Sequence, residues 1–353
     1  MMELNAWLSK IAPPDEAAAR AARARWDSIA KPLGSLGLLE DAIVQIAALT
    51  GSADVRLAPR TLLVFCADNG VVAQGVTQCA SHVTASVARA LGEGRSTVNP
   101  MARLANCAVR AVDVGIRDFA PAPGVLDRRV QNGTDDITRG PAMRREACLA
   151  AIQAGAELAA EQARRGVRLL AAGEMGIGNT TTAAAVTAAL LGCPPEQVVG
   201  RGAGLSDAGL QRKIEAVETA LRVNRPDAAD AVDVLAKVGG LDLAAMCGAF
   251  LGAAACRVPV LIDGFISAVA ALCALRLCPG AGGAMLSSHV SADRAGQLVM
   301  QALGKRAPLT AEMRLGEGSG AVAAMPLLDM ALEVYNSGQT FGRLGIESYT
   351  KQS

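Results

Sequence analysis

Aromatic side chains make up only 3% of this chain. Binding of single-stranded nucleic acid relies on ring platforms for base stacking, so that function is disfavoured. An excess of one charge sign is missing too. The formal net charge is +1, acids and bases are interspersed, and no basic tract suits a phosphate backbone. The Arg-rich piece from Arg20 to Arg25 alternates with alanines and reads as a solvated helix face. No apolar run is long enough to span a membrane. The longest, Leu241–Ala270, is broken by Asp242, Arg257, Asp263 and several glycines. Met1-Met2-Glu3-Leu4 lacks the basic start and apolar core of a secretion signal, and a cytoplasmic setting is expected. The nine cysteines form no C-x-x-C pair and read as small buried hydrophobes in a reducing compartment. With only His82 and His289 there is no zinc-site spacing and no Ser-His-Asp arrangement, so no metal is expected.

What the chain does have is apolar bulk. Its 353 residues are 51% apolar, enough for one large core and a smaller attached unit. Residues 14–29 and 36–49 read as two helices joined by Lys31-Pro32-Leu33-Gly34-Ser35. From Thr61 onward short apolar strands alternate with Ala-rich helices, the pattern of a parallel sheet with crossover helices. The strands expected are Thr61–Cys66, Ala108–Val114, Arg168–Ala172, Val258–Ile262 and Ala284–Ser287. The expected helices include Ala142–Arg165, Thr180–Leu191, Asp207–Val223, Leu241–Ala255, Ile266–Leu277 and Ala292–Leu303. Arg117–Gly140 reads as a long surface excursion. A last helix covers about Ala321–Asn336, with Pro326 kinking it or marking its true start. The expected fold class is α/β, a doubly wound, mostly parallel sheet. Residues 59–320 would form its catalytic domain, and residues 1–58 and 321–353 a small helical domain built from both termini.

Open α/β sheets bind ligands in loops after the carboxyl ends of their strands. Several such loops here carry glycine or acid. The richest is Gly173-Glu174-Met175-Gly176-Ile177-Gly178-Asn179-Thr180. Glycines there bare backbone N–H groups at a helix start, where Asn179 or Thr180 can cap, and this suits phosphate. It fits neither the P-loop nor the dinucleotide-binding pattern, and an ordinary tight turn remains the alternative. Gly200-Arg201-Gly202-Ala203-Gly204, followed by Lys213, reads as a second anion loop or else a flexible connection. Arg314-Leu315-Gly316-Glu317-Gly318-Ser319-Gly320 sets one carboxylate among glycines before an apolar helix. A base aimed at a ligand explains it better than a capping loop with an exposed Glu. His289 lacks an evident acid partner in sequence, and Cys79 has only His82 nearby to activate it.

Taken in order, these strings resemble one family. They are Lys31-Pro32-Leu33-Gly34-Ser35-Leu36-Gly37, Cys66-Ala67-Asp68-Asn69-Gly70-Val71, the Gly173 and Arg314 loops, Ala236-Lys237-Val238-Gly239-Gly240-Leu241-Asp242, and Asp263-Gly264-Phe265. Together they are similar to the nicotinate-nucleotide–dimethylbenzimidazole phosphoribosyltransferases, from Lys31 to Val334. The resemblance implies a Rossmann-like fold, a homodimer, no cofactor, and two substrates, nicotinate mononucleotide and a benzimidazole-type base. It implies Glu317 as general base. Gly176, Gly202, Gly264, Lys213 and Ser291 would hold the phosphate, Glu174 would lie near the ribose, and Met175 and Leu315 would sandwich the flat base. Gly178, Asn179 and Gly316 complete the expected substrate contacts. The sequence departs from the family at Asn69, where His is typical, and at Cys79 and Val87, where Ser and Gln are expected in the acceptor pocket. Two rival functions stay open: a nucleotide hydrolase with water as acceptor, and a nucleotide-binding regulatory module.

Overall fold

The run Arg60–Ala67 is buried at every position and forms the central strand, β1, of a six-stranded sheet. The computed structural model describes residues 2–349. The remaining strands are β2 (Cys107–Gly115), β3 (Val125–Asp127), β4 (Leu169–Met175), β5 (Val260–Ile262) and β6 (Met285–Ser287). Their order is β3-β2-β1-β4-β5-β6, and every neighbouring pair is parallel. The order reverses between β1 and β4, where Arg60 pairs with both Cys107 and Leu169. That reversal opens a crevice at the carboxyl ends of the strands, the place where doubly wound sheets bind ligands.

Alternation along β1 divides the interior in two. Leu63, Phe65 and Ala67 join one core; Leu62, Val64 and Cys66 join the other. The first core lies under helices Arg145–Arg164, Asn179–Leu191, Leu241–Ala255 and Phe265–Leu277. The second lies under Glu16–Ser28, Leu38–Thr50, His82–Gly92, Val98–Leu104 and Ser319–Asn336. The two ends of the chain meet there: the Trp26 and Tyr335 rings lie 5.0 Å apart, and Arg25 Nε donates to the Tyr335 carbonyl at 3.0 Å. The first helix, Met2–Leu8, goes to the other face, where Trp7 Nε1 donates to Gln153 Oε1 at 2.8 Å.

Several elements differ from the sequence expectation. The Arg117–Gly140 excursion contains β3, two half-buried residues and the exposed Asp127, which adds an edge to β2. So short a strand leaves no periodic signal. The helix expected from Ala142 begins at Arg145, because Ala142 N and Met143 N donate to Lys237 O and Ala236 O instead. Ala231–Val238 is a helix that went unread, although Asp230 caps it by accepting from Val232 N and Asp233 N. The helix expected over Ala292–Leu303 starts only at Gly296 and ends at Ala302, which frees Ala292–Ala295 as loop. The last helix starts at Ser319 and continues through Pro326, so that proline does not mark its start.

Candidate active site

The loop carrying Glu317 owes its shape to its flanking glycines. Gly316, Glu317 and Gly318 have φ of 86°, 58° and 82°, three left-handed residues in a row. Gly316 and Gly318 hold that conformation without strain; Glu317 holds it at a cost of roughly 1–3 kcal/mol, a strain typical of functional positions. The backbone also runs flush against the sheet. A Cβ on Gly318 would come within 2.3 Å of Leu62 Cδ1. The Glu317 carboxylate is buried, and Oε2 accepts from Ser96 Oγ at 2.8 Å and from Val98 N at 3.1 Å. Among the described residues no donor reaches Oε1, and Glu317 lines the cleft.

Glu174 closes β4 beside it. The helix after it begins at Gly178, which is its N-cap with φ of 93° and no side-chain cap bond. Neither Asn179 nor Thr180 caps, because each side chain has another task. Asn179 Nδ2 donates to Glu174 Oε2 and, at 2.9 Å, to Asp242 Oδ2. Thr180 Oγ1 accepts from Lys213 Nζ at 2.7 Å. Glu174 is buried among acids. Desolvation, aided by the charge of Asp242, raises its pKa to about 8. Desolvation likewise raises Asp242 to about 6, against the hydrogen bond from Asn179.

Asp263, after β5, accepts from Ala321 N at 2.9 Å, and burial raises its pKa against the opposing charge of His289. His289 therefore has an acid nearby after all, supplied by the neighbouring strand. Its ring lies against Gly320, where a Cβ would sit 1.9 Å from Nδ1. The carboxylate of Glu317 is thus not isolated: it shares this end of the sheet with Glu174 and Asp263, with Asp242 behind Asn179.

Opposite the acids is a cationic corner. Lys213 is fully buried, and burial lowers its pKa to about 8, with Asp293 opposing. Gly202 lies beside it, 3.4 Å from Nζ to a built Cβ. Ser291 Oγ accepts from Asp293 N at 3.2 Å on the loop after β6. Arg201 and Arg314, which the sequence reading gave no role, line the same cleft.

The cleft brings together Glu174, Met175, Gly176, Gly178, Asn179, Gly202, Lys213, Gly264, Ser291, Leu315, Gly316, Glu317 and Val87. Cys79 does not line it; Val76, Thr77 and Gln78 from the same segment do. Gln78 Nε2 donates to Ala203 O at 3.1 Å and so ties this wall to the second glycine loop. Asn69, the departure from the family's His, does not line the cleft. It is buried behind the Gly176–Gly178 turn, with Nδ2 donating to Ile177 O at 3.4 Å. Sequence reasoning missed Ser96, Val98 and the site role of Asp242. Asp242 carried a signal, an acid two residues after Gly239-Gly240 in the first turn of a helix; Ser96 carried none.

A crevice at the switch point of a doubly wound sheet, with an anion corner facing buried carboxylates, defines a nucleotide-handling α/β enzyme. A family model described as phosphoribosyltransferase matches residues 11–346, and the chain belongs to that family. A nicotinate-nucleotide–dimethylbenzimidazole phosphoribosyltransferase of Acetivibrio thermocellus is 46% identical over 93% of this chain and 93% of its own length. One from Chloroflexus aggregans is 44% identical over 98% of each. The crystal structure of CobT from Thermus thermophilus superposes with a TM-score of 0.89 at 40% identity, covering 94% of this chain and 100% of that one.

Proposed function

We propose that this chain transfers the phosphoribosyl group of nicotinate mononucleotide to 5,6-dimethylbenzimidazole or a related base, giving α-ribazole 5′-phosphate and nicotinate for a cobamide lower ligand. The observation that carries it is the placement of Glu317, which lines the cleft and whose Oε2 is held while no donor among the described residues reaches Oε1. One azole nitrogen attacks C1′ of the ribose. The other gives its proton to Glu317, which builds electron density on the attacking nitrogen. Nicotinate leaves a pyridinium as a neutral ring and needs no acid. Attack opposite the leaving group turns the β-nucleotide into an α-product. Glu174 lies where positive charge develops on the sugar, and such charge is stabilised by fixed anionic groups in a water-poor site. Lys213, Gly202 and Ser291 take the phosphate, and Met175, Leu315 and Val87 take the flat base.

The homodimer and the cytoplasmic setting belong to the same proposal. The nine cysteines are unpaired, which suits a reducing compartment. No helix among the described residues is long and apolar enough to cross a membrane.

The test is product analysis by mass spectrometry with nicotinate mononucleotide, with and without dimethylbenzimidazole. The proposal predicts α-ribazole 5′-phosphate and nicotinate only when the base is present. Ribose 5-phosphate with nicotinate, formed equally without the base, would establish the hydrolase instead. Binding without any nicotinate release would establish the regulatory module.

A further inference from the structure

We propose that Ser96, acting with the Val98 amide, is the positioning residue that dedicates one oxygen of Glu317 to the protein and the other to the substrate proton. This rests on the reading of Glu317 as the base.

Ser96 sits after β1 and its following helix, 221 residues from Glu317 in sequence, yet its Oγ donates to Oε2 at 2.8 Å in a buried contact. Val98 N adds a second donor to the same oxygen at 3.1 Å. The segment that delivers them is itself fixed, with Ser96 N donating to Asn99 Oδ1 at 2.9 Å. Two donors engage the lone pairs of Oε2. A proton arriving there would have to displace one of them, so the acceptor is Oε1, the oxygen with no donor among the described residues. The carboxylate cannot rotate to exchange its oxygens without breaking both bonds. The other charged groups around the cleft are Glu174 on β4, Asp263 after β5, His289 and Asp293 after β6, and Lys213, Arg201 and Arg314. Of these, Glu174 is near enough for its charge and that of Glu317 to repel. Ser96 and Val98 are the groups that offset this repulsion by direct contact. Ser96 does not line the cleft; it acts through Glu317.

The test compares kcat and KM at one pH near neutrality, with both substrates varied, for the unaltered enzyme and for Ser96→Ala, Ser96→Thr, Ser96→Cys and Glu317→Gln. In Ser96→Ala, kcat should fall about tenfold, the worth of one charge-assisted hydrogen bond, with the KM for nicotinate mononucleotide unchanged. Ser96→Thr keeps the hydroxyl and should restore kcat; Ser96→Cys, a weaker donor, should fall between. A purely structural role would lower the melting temperature and leave kcat of the folded variant in place. An unchanged kcat in folded Ser96→Ala, or in Ser96→Cys should Ser96→Ala not fold, overturns the inference. If Glu317→Gln is inactive in that case, the base reading survives and only the role of Ser96 falls. If Glu317→Gln is fully active, the base reading itself fails.

Discussion

The backbone amide of Glu317 donates to the backbone carbonyl of Glu174 at 3.2 Å, so two acids from distant parts of the chain are locked side by side. A Cβ on the neighbouring Gly316 would lie 2.7 Å from Glu174 Oε1, which shows how closely the loop is pressed onto that carboxyl. Two buried carboxyls so placed cannot both be comfortably ionised in the free enzyme. A cationic pyridinium nucleotide relieves that repulsion, and nicotinate departure removes the cation again.

A proton balance follows from this. With a pKa of about 8, Glu174 carries its proton at pH 7 in the free enzyme. Burial is the main cause, and a bound cation favours the charged form. Binding of nicotinate mononucleotide near pH 7 should therefore release up to about one proton through Glu174. Calorimetry in buffers of different ionisation enthalpy reads this directly. The release should shrink in Glu174→Gln and vanish above about pH 9, where the group is already ionised before binding. Equal release by the unaltered enzyme and Glu174→Gln would place the proton elsewhere.

Lys213 gives the opposite sign. Burial lowers its pKa to about 8, so the free enzyme holds it cationic below that pH and increasingly neutral above it. Affinity for nicotinate mononucleotide relative to the riboside, which lacks the phosphate but meets the same Glu174, should fall as pH rises through this value. Lys213→Ala should weaken the nucleotide by about 10- to 100-fold, the usual worth of a hydrogen bond to a charged group, and barely affect the riboside. Equal weakening of both ligands would make Lys213 a packing residue.

Much of this site was legible in sequence because glycine and acid residues stand out where a strand ends. Glu174, Gly176, Gly202 and Glu317 were found that way, and β1 and β4 by their apolar runs. Chain-distant partners were not legible. Nothing near Ser96 announces a contact 221 residues away, and His289 comes within charge range of Asp263 only because β5 and β6 are neighbours. Asn69, a departure from the family whose consequence the sequence left open, is turned behind the Gly176–Gly178 loop. Cys79 missed the cleft by one position: Gln78 lines it and Cys79 does not.

Base choice should depend on Val87 and not on Cys79. An apolar wall discriminates weakly between isosteres, so methyl groups on the benzimidazole should change kcat/KM by only about 10- to 200-fold. Adenine brings an exocyclic amine to that wall at a desolvation cost of roughly 1–3 kcal/mol and should lose in direct competition with dimethylbenzimidazole. Val87→Gln should narrow the preference, and Cys79→Ser should leave it unchanged. Quantifying both nucleotide products in one reaction checks this; a preference for adenine in the unaltered enzyme would contradict it.

Gly320 should tolerate no side chain. A methyl group there would meet the His289 ring at 1.9 Å from Nδ1, and the ring is itself buried. Gly320→Ala should cost about 1–3 kcal/mol of stability, as overpacking of a filled site does. A thermal melt at fixed pH measures it, and an unchanged melting temperature would mean the ring moves freely.

The most direct measurement is the rate of α-ribazole 5′-phosphate formation by Glu317→Gln, alongside its affinity for nicotinate mononucleotide. Removing a general base lowers turnover by about 10²-fold or more. The account predicts that loss in a folded variant that still binds the nucleotide. Near-normal turnover in the folded variant would contradict it.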